Sequence, residues 1–131
     1  MIIVLDTSAA VEVVLKRKNA KEFSTLLSDA DSVIAPSLFI AEATNVFWKY
    51  YQHADMPVIE CEKYLNAVVR IPDEIVEINE MSGETFNLAV LTGMTAYDMF
   101  YMVLARRYNA ALMTLDKKLK ATAVKQGLTV F

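Results

Sequence analysis

Short apolar runs alternate along the chain with longer segments of helical periodicity. Ile2–Leu5, Ser32–Ala35, Ile75–Ile78, Ala111–Thr114 and Leu128–Phe131 read as strands. Most are continuous apolar runs rather than strict alternations, the pattern of strands covered on both faces. Between them the spacing predicts helices over Ala9–Lys18, Ala20–Ser28, Pro36–Gln52, Val58–Arg70, Ser82–Thr92, Ala96–Tyr108 and Lys117–Gln126. In the fourth of these, Val58, Cys61, Tyr64, Leu65, Val68 and Val69 recur at three- and four-residue intervals, which makes one apolar stripe. Gly93 and Gly127 fall just past helix ends, where a left-handed residue is wanted. Pro36 is placed at a helix start, where its missing N–H costs nothing. Alternation of strand and helix implies right-handed crossovers and a parallel sheet. The expected fold is one α/β domain over residues 1–131, three layers α/β/α, around a five-stranded parallel sheet.

Composition narrows the classes. An apolar share of 55% with 22% charged residues over 131 positions excludes intrinsic disorder and leaves room for one core. The net charge of −3 excludes a uniformly basic nucleic-acid coat. Charge is uneven, however. Residues 106–131 carry six basic side chains against Asp116, +5, so the rest of the chain carries −8. Cys61 is the lone cysteine, which rules out an intramolecular disulfide and a multi-cysteine metal site. The N-terminal apolar run is cut by Asp6 and has no basic lead-in, so it does not read as a signal peptide. A soluble, cytoplasmic protein is expected.

In a parallel sheet every strand ends at one edge, and the helix after each strand begins there. Asp6 ends the first strand and Asp116 follows the fourth by two residues. Asp98 occupies the first turn of the helix leading to that fourth strand, and Glu42 the second turn of the helix from Pro36. All four map to the edge where such sheets bind ligands. Singly, Asp6 and Asp116 read equally as helix N-caps, and Asp98 with Thr95 as a capping box. Glu42 is harder to explain that way, because it lies on a face with Leu38, Phe39 and Val46 that packs inward. Together the four acids would repel one another unless a hard divalent cation joined them. An all-oxygen donor set without His or Cys points to Mg²⁺ or Mn²⁺. Two such ions about 3.5–4 Å apart are a common device for phosphodiester hydrolysis.

Four stretches bearing these acids resemble the motifs of the PIN-domain ribonucleases of the VapC toxin type. They are Ile3-Val4-Leu5-Asp6-Thr7-Ser8-Ala9, then Ala35-Pro36-Ser37-Leu38 through Glu42 to Asn45, then Thr95-Ala96-Tyr97-Asp98 with Tyr101, and Thr114-Leu115-Asp116-Lys117-Lys118-Leu119. The resemblance implies a Mg²⁺- or Mn²⁺-dependent endoribonuclease, the toxin of a toxin–antitoxin pair. Asp6, Glu42, Asp98 and Asp116 would be its metal-binding acids and catalytic centre, with hydrolysis by metal-activated water. Thr7 and Thr114 hydroxyls would orient carboxylates, and Asn45 would add a polar contact on the Glu42 face. Lys117, Lys118 and Lys120, with Arg106 and Arg107 as weaker candidates, would hold RNA phosphates beside the cut. The partners implied are RNA, a cognate antitoxin protein and a second copy in a homodimer.

Within Pro36–Gln52 the rings of Phe39, Phe47, Trp48, Tyr50 and Tyr51 cannot all face one side. Some are expected to be exposed and to anchor a partner, with Trp48 the leading candidate. Met99-Phe100-Tyr101-Met102 reads as part of a central helix. His53 is assigned to a solvated loop with no general-base role. A phosphotransfer receiver is disfavoured, because the second residue after Asp6 is Ser8 rather than an acid. A PIN-like module that binds RNA or protein without catalysis is the remaining alternative.

Overall fold

A computed structural model describes residues 1–131. Four parallel strands form the sheet: β1 (Ile2–Leu5), β2 (Ser32–Pro36), β3 (Glu74–Val76) and β4 (Ala111–Met113), in the order β3-β2-β1-β4. The helices are α1 (Thr7–Val14), α2 (Ala20–Asp29), α3 (Leu38–Ala54), α4 (Val58–Val69), α5 (Ser82–Thr92), α6 (Ala96–Arg107) and α7 (Lys117–Lys125). From β1 the chain steps to β2 and then β3 in one direction, and from β3 it crosses back to β4 beyond β1. Right-handed crossovers therefore put α1–α4 on one face and α5–α6 on the other. The result is the expected α/β/α layering.

The fifth strand is the correction. Its segment meets β4 only at an isolated parallel bridge between Leu112 and Val130. The Leu112 N–H donates to the Thr129 carbonyl, and the Phe131 N–H to the Leu112 carbonyl, each at 2.9 Å. A third bond runs from the Thr114 N–H to the Phe131 carbonyl at 3.2 Å, but the segment makes one bridge and not a full strand. Pro36 is likewise not a helix start. It is the last residue of β2, paired with Val76, and the following Ser37 N–H donates to the Val76 carbonyl at 2.8 Å. A strand terminus tolerates proline because the next residue supplies the missing donor. α1 begins two residues earlier than its periodicity predicts, since the Asp6 carbonyl accepts from Ala9 and Ala10. It also ends four residues earlier, before Lys16, whose φ of 52° is left-handed. Gly93 does take the left-handed cap position after α5, at φ 70°.

The core sits between the layers. Ile3, Val4 and Leu5 of β1 are fully buried, as expected for a strand covered on both faces. α6 lies across β1, β2 and β4 and buries Met99, Met102, Val103, Leu104 and Ala105 completely, so it is the central helix. No single helix is long and apolar enough to cross a membrane.

Leu112 is fully buried in β4, between the β1 ladder and the C-terminal bridge. Leu112→Ala should cost about 2–5 kcal/mol by removing buried methyl groups from a site that collapses incompletely. Urea unfolding checks this, and a shift below about 1 kcal/mol would place Leu112 outside the packed core.

Candidate active site

β1 and β4 are adjacent strands whose connections leave in opposite directions, which makes their C-terminal ends the crevice of the sheet. Their register pairs Leu5 with Met113, so Asp6 and Thr114 emerge side by side. The Asp6 N–H donates to the Met113 carbonyl at 3.0 Å and extends the ladder by one bond. Asp6 precedes α1 with extended backbone, and its side chain caps nothing. Instead Oδ2 accepts from the Ser8 Oγ and the Thr114 Oγ1, each at 2.6 Å. The two hydroxyls are themselves fixed: Leu115 N–H donates to Ser8 Oγ at 3.0 Å and Asp116 N–H to Thr114 Oγ1 at 3.1 Å. This leaves Asp6 Oδ1 free of hydroxyl donors.

The other acids share this division of labour. Asp116 is the N-cap of α7, with Oδ1 accepting from the Leu119 N–H at 2.9 Å, and it is otherwise exposed. Asp98 Oδ2 accepts from the Thr95 hydroxyl at 3.2 Å, while Thr95 caps α6 by accepting from the Asp98 N–H. Glu42 is half-buried on α3, and the Tyr101 hydroxyl donates to its Oε1. Thr7 lies 3.1 Å from that same phenol oxygen, so it serves the Tyr101–Glu42 pair rather than Asp6. In each carboxylate one oxygen is held by the protein and the other is left over.

The electrostatics bind the four into one unit. Burial pushes the Asp6 carboxyl above its ordinary 3.8; the Ser8 and Thr114 hydroxyls oppose this, and the Asp116 charge adds to it. Glu42 is pushed above 4.5 by burial, against the Tyr101 bond, with Asp6 and Asp98 adding repulsion. Asp98 is raised by burial, against Thr95, with repulsion from Asp116 and Asp6. Tyr101 is held far above the usual phenol range by burial, then by the Asp6 and Glu42 charges, so it remains a proton donor. No cation neutralises the group: the two ion pairs of the structure join the N-terminus to Asp31 and Arg107 to Glu84.

Those features fit a hard divalent cation, which seeks oxygen donors with uncompensated charge. No three acidic, histidine or cysteine side chains close into a cage. Mg²⁺ commonly takes only one or two carboxylates and keeps several waters, so a cage is not required.

The remaining expected residues fall in two groups. Lys117, Lys118 and Lys120 lie in the first turn and a half of α7, directly after Asp116. Asn45 is exposed and forms no hydrogen bond with the acids. Arg106 and Arg107 end α6, at the opposite end of that helix from Asp98, and Arg107 is engaged by Glu84 and the Glu80 carbonyl. Two contributors escaped sequence reasoning. Ser8 and Tyr101 both stand in the stretches that resemble the family's motifs, but the sequence reading gives neither a role in the site. Their signal was spacing: Ser8 lies in the turn that follows Asp6, and Tyr101 one turn beyond Asp98.

A family model for the PIN domain matches residues 3–125. The chain belongs to the PIN domain family. This PIN domain is similar to Ribonuclease VapC3 from Pyrobaculum aerophilum, 25% identical over 121 residues that span 91% of this chain and 92% of that one. Its fold is similar to that of PAE2754 from the same organism, with a TM-score of 0.77 and 22% identity over 98% of this chain and 82% of that one. It is also similar to VapBC2 from Rickettsia felis bound to a DNA fragment from their promoter, with a TM-score of 0.71, 18% identity and coverage of 100% and 98%.

Raised carboxyl values have a definite consequence for folding. As pH rises through 3.8 and 4.5 the unfolded chain ionises first, so the native state loses stability until its own higher values are passed. Asp6→Asn removes the most buried of these charges. It should unfold at a higher urea concentration than wild type at pH 7 and show a shallower decline between pH 4 and pH 7. Equal or lower stability at pH 7 with an unchanged decline would contradict the assigned burial cost.

Proposed function

We propose that this PIN domain is a Mg²⁺- or Mn²⁺-dependent endoribonuclease and the toxin of a toxin–antitoxin pair. The observation that carries the reading is the set of four acids at one crevice, each with one oxygen tethered and one available, and none paired with a cation. The names of the similar VapC and VapBC proteins support the same class.

Asp6 and Asp116, at the ends of adjacent strands, with Asp98 and Glu42 completing the rim, are the residues that would hold the ion. A bound divalent ion supplies Lewis-acid activation of water and charge neutralisation at a scissile phosphate. The protein's part is orientation. Ser8 and Thr114 fix the Asp6 carboxylate by two short hydroxyl bonds, so its free oxygen points one way. Thr7 and Tyr101 do the same for Glu42 across the gap between α1, α6 and α3. Because these acids are partly desolvated, their charge is poorly screened and attracts a cation strongly. Lys117, Lys118 and Lys120 stand next to Asp116 and can hold the phosphates that the acids themselves repel.

Two apolar surfaces suit the two protein partners. Trp48 and Tyr51 are 54% and 51% exposed on α3 and, with Val58 and Leu65 of α4, line a cleft of about 180 Å³. Half-exposed rings over a cleft are typical anchors for a partner segment, and this face is assigned to the antitoxin. Phe86, Val90 and Leu91 form an exposed stripe on α5, which is assigned to a second copy of the chain.

The deciding experiment compares wild type with Asp6→Asn on a labelled total-RNA pool in Mg²⁺, Mn²⁺ or EDTA. Wild type should cleave internally with either ion and stop in EDTA, and Asp6→Asn should lose at least about a hundredfold in rate, the scale of one transition-state electrostatic contact. Equal cleavage by both proteins would remove the activity from this site.

A further inference from the structure

The thirteen Lys and Arg residues are not dispersed. Six lie in residues 106–131, four are Lys16, Arg17, Lys18 and Lys21, and only Lys49, Lys63 and Arg70 lie elsewhere. The N-terminal group occupies the α1–α2 turn, and all four side chains are exposed. With Ser24 they line a shallow cavity of about 380 Å³. None of the four forms an ion pair. Glu22 follows Lys21 in sequence without engaging any of them.

The turn that displays these cations is braced from within. Glu12 is 5% exposed, and its Oε1 accepts from the Asn19 N–H at 2.8 Å and from the Asn19 Nδ2 at 2.9 Å. Its own carbonyl accepts from the Arg17 N–H at 3.1 Å. The buried Glu12 thus directs its carboxylate to an asparagine, and the four cations stay without an ion-pair partner. Arg17 is further held against α3, donating to the Tyr50 hydroxyl with its guanidinium 5.6 Å from that ring's centre. Lys16 adopts a left-handed backbone that ends α1 and turns the basic run outward.

Position gives the cluster its meaning. α7 begins just after Asp116, and α1 begins just after Asp6 and carries the chain away from the crevice, to a turn where Arg17 packs on Tyr50 near the far end of α3. α1 has eight residues, so about 12 Å of helix separates Asp6 from the turn. We propose that Lys16, Arg17, Lys18 and Lys21 form a second phosphate-binding surface, which holds single-stranded RNA that runs from the crevice along α1. The inference rests on the ribonuclease reading and deepens it, since it adds a second anchoring point for the polyanion. An acidic cleavage centre repels phosphates, so a strand leaving it is held by cations further along its path.

The test uses the triple variant Lys16→Gln, Lys18→Gln, Lys21→Gln, which leaves the Arg17–Tyr50 contact in place. A charge-matched control carries Lys49→Gln, Lys63→Gln, Arg70→Gln. Binding of a fluorescein-labelled 20-nucleotide oligouridylate is measured by anisotropy from 50 to 200 mM salt, with melting curves to confirm that both variants are folded. The cluster variant should bind roughly tenfold more weakly, with the log–log salt slope reduced by about 2, from about 0.7 per lost phosphate contact. The control should follow wild type. Equal loss in both variants, or no loss in the cluster variant, overturns the proposal. Loss of polyglutamate binding with RNA binding intact overturns it in favour of an acidic protein partner. Wild-type cleavage of RNA separates the two readings: if it persists while the cluster variant binds normally, only this surface is wrong.

Discussion

The structure depends on one constraint: negative charge concentrated where two parallel strands end, without a basic side chain to neutralise it. The β1–β4 register creates this arrangement, because pairing Leu5 with Met113 sets Asp6 beside Thr114 and leaves Asp116 two residues further on. In water such acids would spread apart. Here each is tethered by a hydroxyl or a backbone N–H, and the partly buried ones keep part of their desolvation cost as a raised proton affinity. A ligand of opposite charge would relieve that cost.

The sheet edge was legible because it follows from order alone. Continuous apolar strands demand cover on both faces, right-handed crossovers then fix which strand ends meet, and acids at those ends must cluster. The finer roles were not legible. Whether Asp6 caps α1 or faces the crevice depends on side-chain rotation, which is decided by Ser8 and Thr114 from opposite ends of the chain. Asp116 turned out to do both, capping α7 with one oxygen and keeping the other. Tyr101 is marked in sequence by its place one turn beyond Asp98, but its role appears only when the fold brings Glu42 to its hydroxyl. The fifth strand is reduced to a single bridge between Leu112 and Val130, although backbone bonds still join residues 129–131 to the β4 edge.

Outside the crevice, most cations gather in the α1–α2 turn and in residues 106–131, and exposed apolar side chains lie on α3–α4 and α5, with Tyr97 beside Asp98 and Val124 on α7. The buried Glu12–Asn19 bracket shows that not every internal acid belongs to the centre, because its charge is satisfied by amide donors.

The most direct measurement is Mn²⁺ binding to the folded protein, followed by the paramagnetic resonance signal of the free ion, in wild type and in Asp98→Asn. Saturable binding by wild type that weakens at least about tenfold in the variant, the scale of one lost charge-assisted contact, is the predicted result. Binding of equal strength in both proteins, or none by wild type, would contradict a cation-binding crevice.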